Sequence, residues 1–217
     1  MSVVPALLQR LPLRGRLVTG DALYCQRQLC ALIREAGGDY LVMVKGNQAS
    51  LYADIGLLFA QPPLGEVFAE AEQRSRHGDR QEVRRLWAST ALSEYLGWPD
   101  VGQVLKVERV VWRKGQQSGE VRYAITSLEK KVGPAELLRH VRGHWGIENR
   151  LHYVRDKTFG EDASQVRKEG APQVMAALRN TVIGLLRQVG CTNIAAGLRE
   201  YGWKPDAALA LLGLTRP

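Results

Sequence analysis

The sequence predicts an α/β (α+β) fold, and three observations support that prediction. Residues 16–60 alternate between short apolar runs and stretches with helical periodicity. Residues 67–127 contain segments of strand character separated by turn-forming residues. After Gly133-Pro134 the chain becomes helical to its end. We therefore expect three regions, over residues 1–64, 65–128 (β-rich) and 129–217 (helical).

The first region has the pattern strand–helix–strand–helix. Residues 16–20 form a short apolar strand with Asp21 at its C-terminal end, and a helix is expected over about 24–36, ending at two glycines. The run 40–44 is continuously apolar, as is typical of a strand buried on both faces. A second helix is expected over about 48–59. This order predicts two parallel neighbouring strands.

The second region contains two predicted hairpins. Strands over 67–76 and 80–89 flank His77-Gly78-Asp79, and strands over 104–113 and 121–127 are joined by a turn-rich segment at 114–119. The third region contains the predicted helices 135–142, 145–156, 172–189, 193–200 and 205–212.

Composition limits the class of partner and the compartment. The 217 residues carry a net charge of +8, which favours a polyanion such as nucleic acid. The three cysteines, Cys25, Cys30 and Cys191, match no zinc or redox spacing, so we expect small buried side chains in a reducing compartment. No apolar run reaches the length of a membrane span and the N-terminus lacks a signal peptide, so we expect a cytoplasmic protein.

Two acidic residues are candidate metal ligands. Asp21 ends a strand of an expected parallel pair, at the edge where such sheets bind ligands, although spacing alone favours a helix cap at this position. Glu148 shares one helical face with His144, His152 and Arg155. Carboxylates suit magnesium. The spacing of His144, Glu148 and His152 leaves open a zinc site and an unrelated metal hydrolase, and also a plain amphipathic helix.

Cations near Glu148 are candidates for binding phosphate groups. Arg150, Arg155 and Lys157 suit DNA phosphates, but a solvated basic face accounts for them equally well on spacing alone. Asp156, Glu161 and Asp162 follow, and they are expected to cap the next segment or to pair with Arg155 and Lys157. Thr19 and Asn47 lie near the ends of the two expected parallel strands and are at most supporting residues.

Four segments together resemble the C-terminal part of the ISAs-type, or H-repeat-associated, insertion-sequence transposases. They are Val18-Thr-Gly-Asp-Ala-Leu-Tyr-Cys-Gln26, Gly38-Asp-Tyr-Leu-Val-Met-Val-Lys-Gly-Asn-Gln48, His144-Trp-Gly-Ile-Glu-Asn-Arg-Leu-His-Tyr-Val-Arg-Asp156, and Phe159-Gly-Glu-Asp-Ala163. Arg179-Asn180 also fits, and the resemblance covers about residues 3–212.

The resemblance implies an incomplete RNase H-like core with residues 65–128 as a β-rich insertion. Such a core uses three acids, Asp, Asp and Glu, to bind two Mg²⁺ ions that activate water and then a DNA 3′-hydroxyl. By motif match Asp21 is the second acid and Glu148 the third, both catalytic and metal-binding. His144 joins Arg150, Arg155 and Lys157 as a DNA-binding candidate, and Asn149 and Asp156 are expected to support the site. The family implies DNA ends as partner and a homo-oligomer.

The sequence departs from that family at the first acid, which is absent from these 217 residues. We therefore expect a truncated DDE transposase that is inactive alone. Two alternatives remain open at this stage. One is a catalytically dead DNA-binding protein that inhibits a full-length transposase. The other is the metal hydrolase built on His144, Glu148 and His152, which would hold zinc.

Overall fold

The computed structural model describes residues 3–147 and 151–214. The chain forms two compact units, Met1–His144 and Trp145–Pro217. The three expected regions do not coincide with these units, and their boundaries stay predictions. Among residues 3–147 and 151–214, none of the helices combines the length and the hydrophobicity that a membrane span requires.

The first unit begins with helix α1 (Val3–Leu8), to which the sequence analysis assigned no structure, and continues as strand–helix–strand–helix. Strand β1 is Leu17–Gly20, α2 is Arg27–Glu35, β2 is Asp39–Val44 and α3 is Ala49–Ala60. As predicted, β1 and β2 are parallel, with Val18 opposite Tyr40. A 3₁₀ turn, Ala22–Tyr24, precedes α2, so this helix starts later than expected.

The two predicted hairpins are present. Strands β3 (Ala69–His77) and β4 (Arg80–Ser89) form the first hairpin, and β5 (Gln103–Arg113) and β6 (Gln116–Thr126) form the second. The expected loop over 114–119 is wrong, because strand pairing continues to the pair Arg113–Gln116 and leaves only Lys114-Gly115 as the turn. Lys114 and Gly115 both have positive φ, as a tight two-residue hairpin turn requires.

All six strands belong to one mixed sheet in the order β1-β2-β6-β5-β4-β3. Strand β6 lies antiparallel to β2 and joins the hairpins to the parallel pair. Side chains secure this junction: the Tyr40 amide donates to Ser127 Oγ at 2.9 Å, and Thr126 Oγ1 donates to the Tyr40 carbonyl at 2.7 Å. The α/β class is therefore confirmed as a mixed α+β arrangement.

Each face of the sheet is covered by helices. One face carries α1, α2 and α3, whose buried Cys30, Ile33 and Ile55 pack with Val42 and Val104. Cys25 and Cys30 are buried and unpaired, as predicted, and burial raises the pKa of the Cys25 thiol to about 12. Each fully buried aliphatic side chain of this core contributes about 2 kcal/mol relative to an exposed one.

The other face carries helix α4 (Pro134–Ile147). Its residues Leu137, Leu138 and Val141 recur at helical spacing and pack on Leu41 and Leu105 of the sheet. This face is called the α4 face below. The sheet of the first unit thus lies between two helical layers, each with its own hydrophobic cluster.

The second unit is helical. It contains a π-helical turn (Val154–Thr158) and three helices, α5 (Ala171–Gln188), α6 (Ile194–Trp203) and α7 (Pro205–Leu211). The last three confirm the predicted helices within a few residues. Asn193 caps α6 by accepting from the Ala196 amide at 3.0 Å. Ile183, Leu186 and Ile194 form the centre of this unit's core.

Candidate functional site

Asp21 lies where β1 ends, at the carboxyl edge of the parallel pair. Its Oδ1 accepts a hydrogen bond of 2.7 Å from the Ala22 amide, so the side chain caps the 3₁₀ turn. The capping role considered from sequence is thus confirmed. It does not exclude metal binding, because a carboxylate has a second oxygen and further lone pairs, and the Asp21 side chain is 51% exposed.

Lys45 supplies positive charge beside this carboxylate. Its Nζ lies 3.6 Å from Asp21 Oδ1, and both side chains are more than half exposed. Such a pair contributes well under about 1 kcal/mol to stability, so its effect is mainly to set the local potential. Lys45 was not among the predicted site residues. The feature that could have identified it is its position directly after β2, at the same carboxyl edge as Asp21.

The loop after β2 holds the turn that follows Asp21. Asn47 Nδ2 donates to the Ala22 carbonyl at 2.9 Å, and Gln48 Nε2 donates to the Cys25 carbonyl at 2.9 Å. These two bonds tie together the loops at the ends of both parallel strands. Asn47, considered from sequence as a supporting residue, therefore positions the backbone next to Asp21, and Gln48 is a second such residue that sequence reasoning missed.

A cavity of about 320 Å³ opens at this edge, lined by Asp21, Lys45, Tyr52, Glu120 and Arg122 among others. Glu120 and Arg122 come from β6, and Arg122 Nε donates to Glu120 Oε1 at 2.6 Å. Their presence could not be inferred from the sequence, because it depends on β6 pairing with β2. The site therefore contains two cations and two carboxylates around a concave surface.

His144 lies on the α4 face of the sheet, beside the strand that precedes Asp21. Its Nδ1 is hydrogen-bonded to Thr19 Oγ1 at 3.1 Å. Thr19 precedes Asp21 by two residues, and strand β1 ends between them at Gly20. Thr19 also pairs with Leu41, which belongs to the core under α4. The structure thus brings Thr19 and His144 together on the α4 face, two residues before Asp21.

Three of the predicted site residues, Glu148, Asn149 and Arg150, lie outside the described residues. The convergence of Asp21 with Glu148, the supporting role of Asn149 and the DNA-binding role of Arg150 therefore stay predictions. The zinc arrangement of His144, Glu148 and His152 stays a prediction for the same reason.

Arg155 forms a bidentate ion pair within the second unit. Its Nε and Nη2 both donate to Glu161, the latter at 2.6 Å, and Arg179 Nη1 lies 3.3 Å from Glu161 Oε1. Hydrogen bonding to Glu161 raises the pKa of Arg155, and the same bond lowers the pKa of Glu161. The expected pairing of Arg155 with this acidic patch is confirmed, and its contact with DNA stays a prediction.

Lys157 and Asp156 lie in the π-helical turn, with Lys157 exposed and Asp156 half-buried. π-helical turns occur frequently at functional sites, because the extra residue changes the direction of the side chains. The DNA-binding role of Lys157 and the supporting role of Asp156 stay predictions.

The described residues do not by themselves fit a two-magnesium site. Within residues 3–147 and 151–214, no group of three or more His, Cys, Asp or Glu side chains is placed to hold a metal ion. Asp21 supplies one carboxylate, whereas a two-ion site uses several that bridge the ions. Glu148, the other expected carboxylate ligand, is outside the described residues.

Comparison with known proteins identifies the class. The profile of the family described as "Transposase DDE domain" matches residues 1–185, and the chain belongs to this family. It is 29% identical over 209 residues to "Putative transposase YncI" of Escherichia coli O157:H7, covering 92% of this chain and 52% of that protein. It is 28% identical over 196 residues to "H repeat-associated putative transposase YhhI" of Escherichia coli (strain K12), covering 86% and 51%. The predicted family is thereby confirmed, and the chain spans about half the length of these relatives.

Proposed function

We propose that this chain forms part of a DDE-type insertion-sequence transposase, in which Asp21 and Glu148 are the second and third catalytic acids. The observation that carries the proposal is the position of Asp21. It stands at the carboxyl edge of a parallel strand pair, inside the stretch that matches the transposase family. In this proposal Asp21 acts in transposition of the element's DNA ends by cleavage and strand transfer.

An RNase H-like core is part of the proposal. It is supported by the parallel β1–β2 pair, by the helices on both faces of the sheet, and by family membership. In this arrangement the hairpins of residues 65–128 are the insertion between the second and third acids, and their last strand, β6, extends the core sheet at β2.

The metal proposed for the complete site is Mg²⁺, in two ions held by Asp21, Glu148 and a first Asp that these 217 residues lack. When bound, such ions lower the pKa of water and stabilise charge on phosphate oxygens. Residues of this chain have separate roles: Asn47 and Gln48 hold the turn that orients Asp21, and Lys45 places a positive charge beside the Asp21 carboxylate.

The proposed partner is the DNA of the element's ends, with phosphate contacts from Arg150, Arg155, Lys157 and His144. The net charge of +8 supports a polyanionic partner such as DNA. If Arg155 binds a phosphate, Arg155→Ala should reduce the log–log salt slope of DNA binding by about 0.9. A homo-oligomer, a complex with a full-length transposase, and a cytoplasmic location belong to the same proposal.

The 217 residues alone are proposed to be inactive, as a truncated transposase with two of three acids. The purified chain is incubated with supercoiled plasmid and Mg²⁺, and no nicked or joined product is expected. The matched control is Asp21→Asn, which keeps the shape and the cap but not the charge. Nicking by the parent chain that disappears in Asp21→Asn would show an active enzyme and refute the inactivity.

A second candidate function is a catalytically dead DNA-binding protein that inhibits a full-length transposase. The basic charge favours it, because electrostatic binding to DNA needs no catalytic site. The two candidate functions can be distinguished by adding the chain to a full-length relative that acts on its own element ends. If the Asp21→Asn variant inhibits the full-length transposase as strongly as the parent chain does, the result supports the inhibitor function, since that function needs no catalytic carboxylate.

A further inference from the structure

The two β-hairpins extend well beyond the parallel strands. Strand β2 ends at Val44, opposite Tyr123, whereas β6 and its neighbours continue to the pair Arg113–Gln116. At about 3.4 Å per residue this extension measures roughly 24 Å. We call the extension, residues 71–86 and 107–122, the hairpin arm. It projects from the same edge of the sheet at which Asp21 lies.

A buried carboxylate on the arm gathers three arginines. Glu82 is only 7% exposed, and it pairs with Arg80, Arg84 and Arg109, with Arg80 Nη2 at 3.1 Å from Oε2. Arg84 lies directly opposite Arg109 across β4 and β5. One negative charge therefore faces three positive charges, so the cluster is left with a net charge of about +2.

The cluster has the charge and the open space to bind an additional anion. Burial lowers the pKa of Arg84, Glu82 opposes this effect, and the neighbouring charges of Arg142, Arg109 and Arg80 lower the pKa further. Arg80 Nε is buried and has no hydrogen-bond partner within the described part of the chain. A cavity of about 620 Å³ beside the cluster is lined by Arg80 and Arg109, together with Arg113 and Lys114.

The two faces of the arm differ in charge. Among the described arm residues, the α4 face holds five arginines and two glutamates: Arg80, Arg84, Arg109, Arg113, Arg122, Glu82 and Glu120. The opposite face holds three arginines and two glutamates, and there the pairing is more even. Arg74 and Arg85 both contact Glu72, and Arg85 also contacts Glu108. The excess positive charge is thus concentrated on the α4 face.

Asp21 is within reach of a duplex that contacts this cluster. The strand register places Asp21 at the same level as Leu105 of β5, which is three strands away from β1. Arg109 lies four residues beyond Leu105 in β5. With strands about 4.8 Å apart and a rise of about 3.4 Å, the separation is about 20 Å, the length of about six base pairs. Thr19 and His144 lie on the same face as the cluster, so one duplex can touch both regions without crossing the sheet.

We propose that Arg80, Arg84 and Arg109 form a site on the hairpin arm that binds the phosphate backbone of double-stranded DNA, and that Glu82 is a positioning residue that holds these guanidinium groups in place. The site lies outside the Asp21 edge. The inference rests on the proposed function, because it names where the DNA continues beyond the candidate catalytic edge.

The test compares two variants that change the net charge equally. Glu82→Gln/Arg84→Gln/Arg109→Gln removes two cations and one anion, and Arg76→Gln removes one cation from the opposite face. Binding to a fluorescein-labelled duplex of about 20 base pairs is followed by anisotropy over a series of KCl concentrations. Two lost phosphate contacts should reduce the log–log salt slope by about 1.8 in the triple variant, with no change in Arg76→Gln.

A second measurement uses the unaltered chain, in case the triple variant does not fold. Phenylglyoxal modifies accessible arginines, and mass spectrometry reads each site with and without the duplex. Protection is expected at Arg84 and Arg109, whose side chains are 22% and 38% exposed, and not at Arg74, which is 75% exposed. Equal slopes in the two variants, or equal protection on both faces, would overturn the arm site while DNA binding stands. A parent chain that does not bind the duplex would remove the proposed DNA-binding function as well.

Discussion

The side chain of Gln103 connects the sheet to the segment that leads into α4. Gln103 is 3% exposed at the start of β5, and its Nε2 donates to the carbonyls of Leu128, Glu129 and Val132 at 3.1, 2.8 and 3.2 Å. Helix α4 starts at Pro134, immediately after these acceptors, and carries His144 to Thr19. We predict that Gln103→Met, which keeps the volume but removes the amide, loosens the entry of α4.

The expected magnitude follows from the three carbonyls. An unsatisfied buried polar group costs about 1–3 kcal/mol. Glu129 is exposed, so water replaces the lost donor there, whereas Leu128 and Val132 are half-buried. If the Leu128 and Val132 carbonyls each cost about 1 kcal/mol, the total cost is about 2 kcal/mol. This corresponds to about a 30-fold increase in the equilibrium constant for local opening.

Hydrogen–deuterium exchange measured by mass spectrometry tests this prediction. Peptides covering 128–147 should exchange about 30-fold faster in Gln103→Met under conditions where opening is at equilibrium. The control is Gln116→Met, the same chemical change at an exposed position next to the β5–β6 turn. We expect this substitution to destabilise the protein by less than about 0.5 kcal/mol. Unchanged exchange over 134–147 in Gln103→Met would refute the proposed role of the amide.

Three further predictions concern single side chains. Gly102→Ala should destabilise the first unit by about 3 kcal/mol in urea unfolding, because the new Cβ would lie 2.4 Å from the Leu128 carbonyl oxygen; an unchanged midpoint contradicts the packing. Burial raises the pKa of Glu82, but the Arg109 hydrogen bond and the surrounding arginines outweigh it and hold the pKa below its ordinary 4.5. The stability it contributes is therefore complete above that value and lost as the pH falls toward the lower folded pKa, so the thermal midpoints of parent and Glu82→Gln should converge on acidification; parallel curves would contradict this. Glu161→Ala should destabilise the second unit by about 2 kcal/mol because the buried Arg179 loses its carboxylate, and unaltered amide exchange in α5 would argue against that pairing.

Local patterns in the sequence predicted most of the elements correctly. The apolar run at 40–44 indicated a strand buried on both faces, and β2 has that burial. The helices α3 and α5 follow from apolar residues at helical spacing, such as Leu51, Ile55 and Leu58. These predictions succeed because the periods of helices and strands depend on neighbours a few residues apart.

The candidate site was only partly predictable. Asp21 was identified from its place after a strand, and its family role from the motif around it. Lys45, Gln48 and Arg122 were missed, because their proximity to Asp21 depends on which strands are adjacent. The turn at 114–119 was wrong because Gln and Ser residues there pair as a strand once the partner strand is present.

The sequence by itself determined the strand–helix order, the hairpins, the basic charge and the family of the chain, since all of these depend on residue type and local spacing. Only the tertiary structure decided that β6 lies between β2 and β5, and that an excess of arginines gathers on one face of the hairpin arm around Glu82. The physical reason is register: alternation assigns each side chain to one of two faces, but cross-strand pairing over long sequence separations decides which charges share that face and which core it joins.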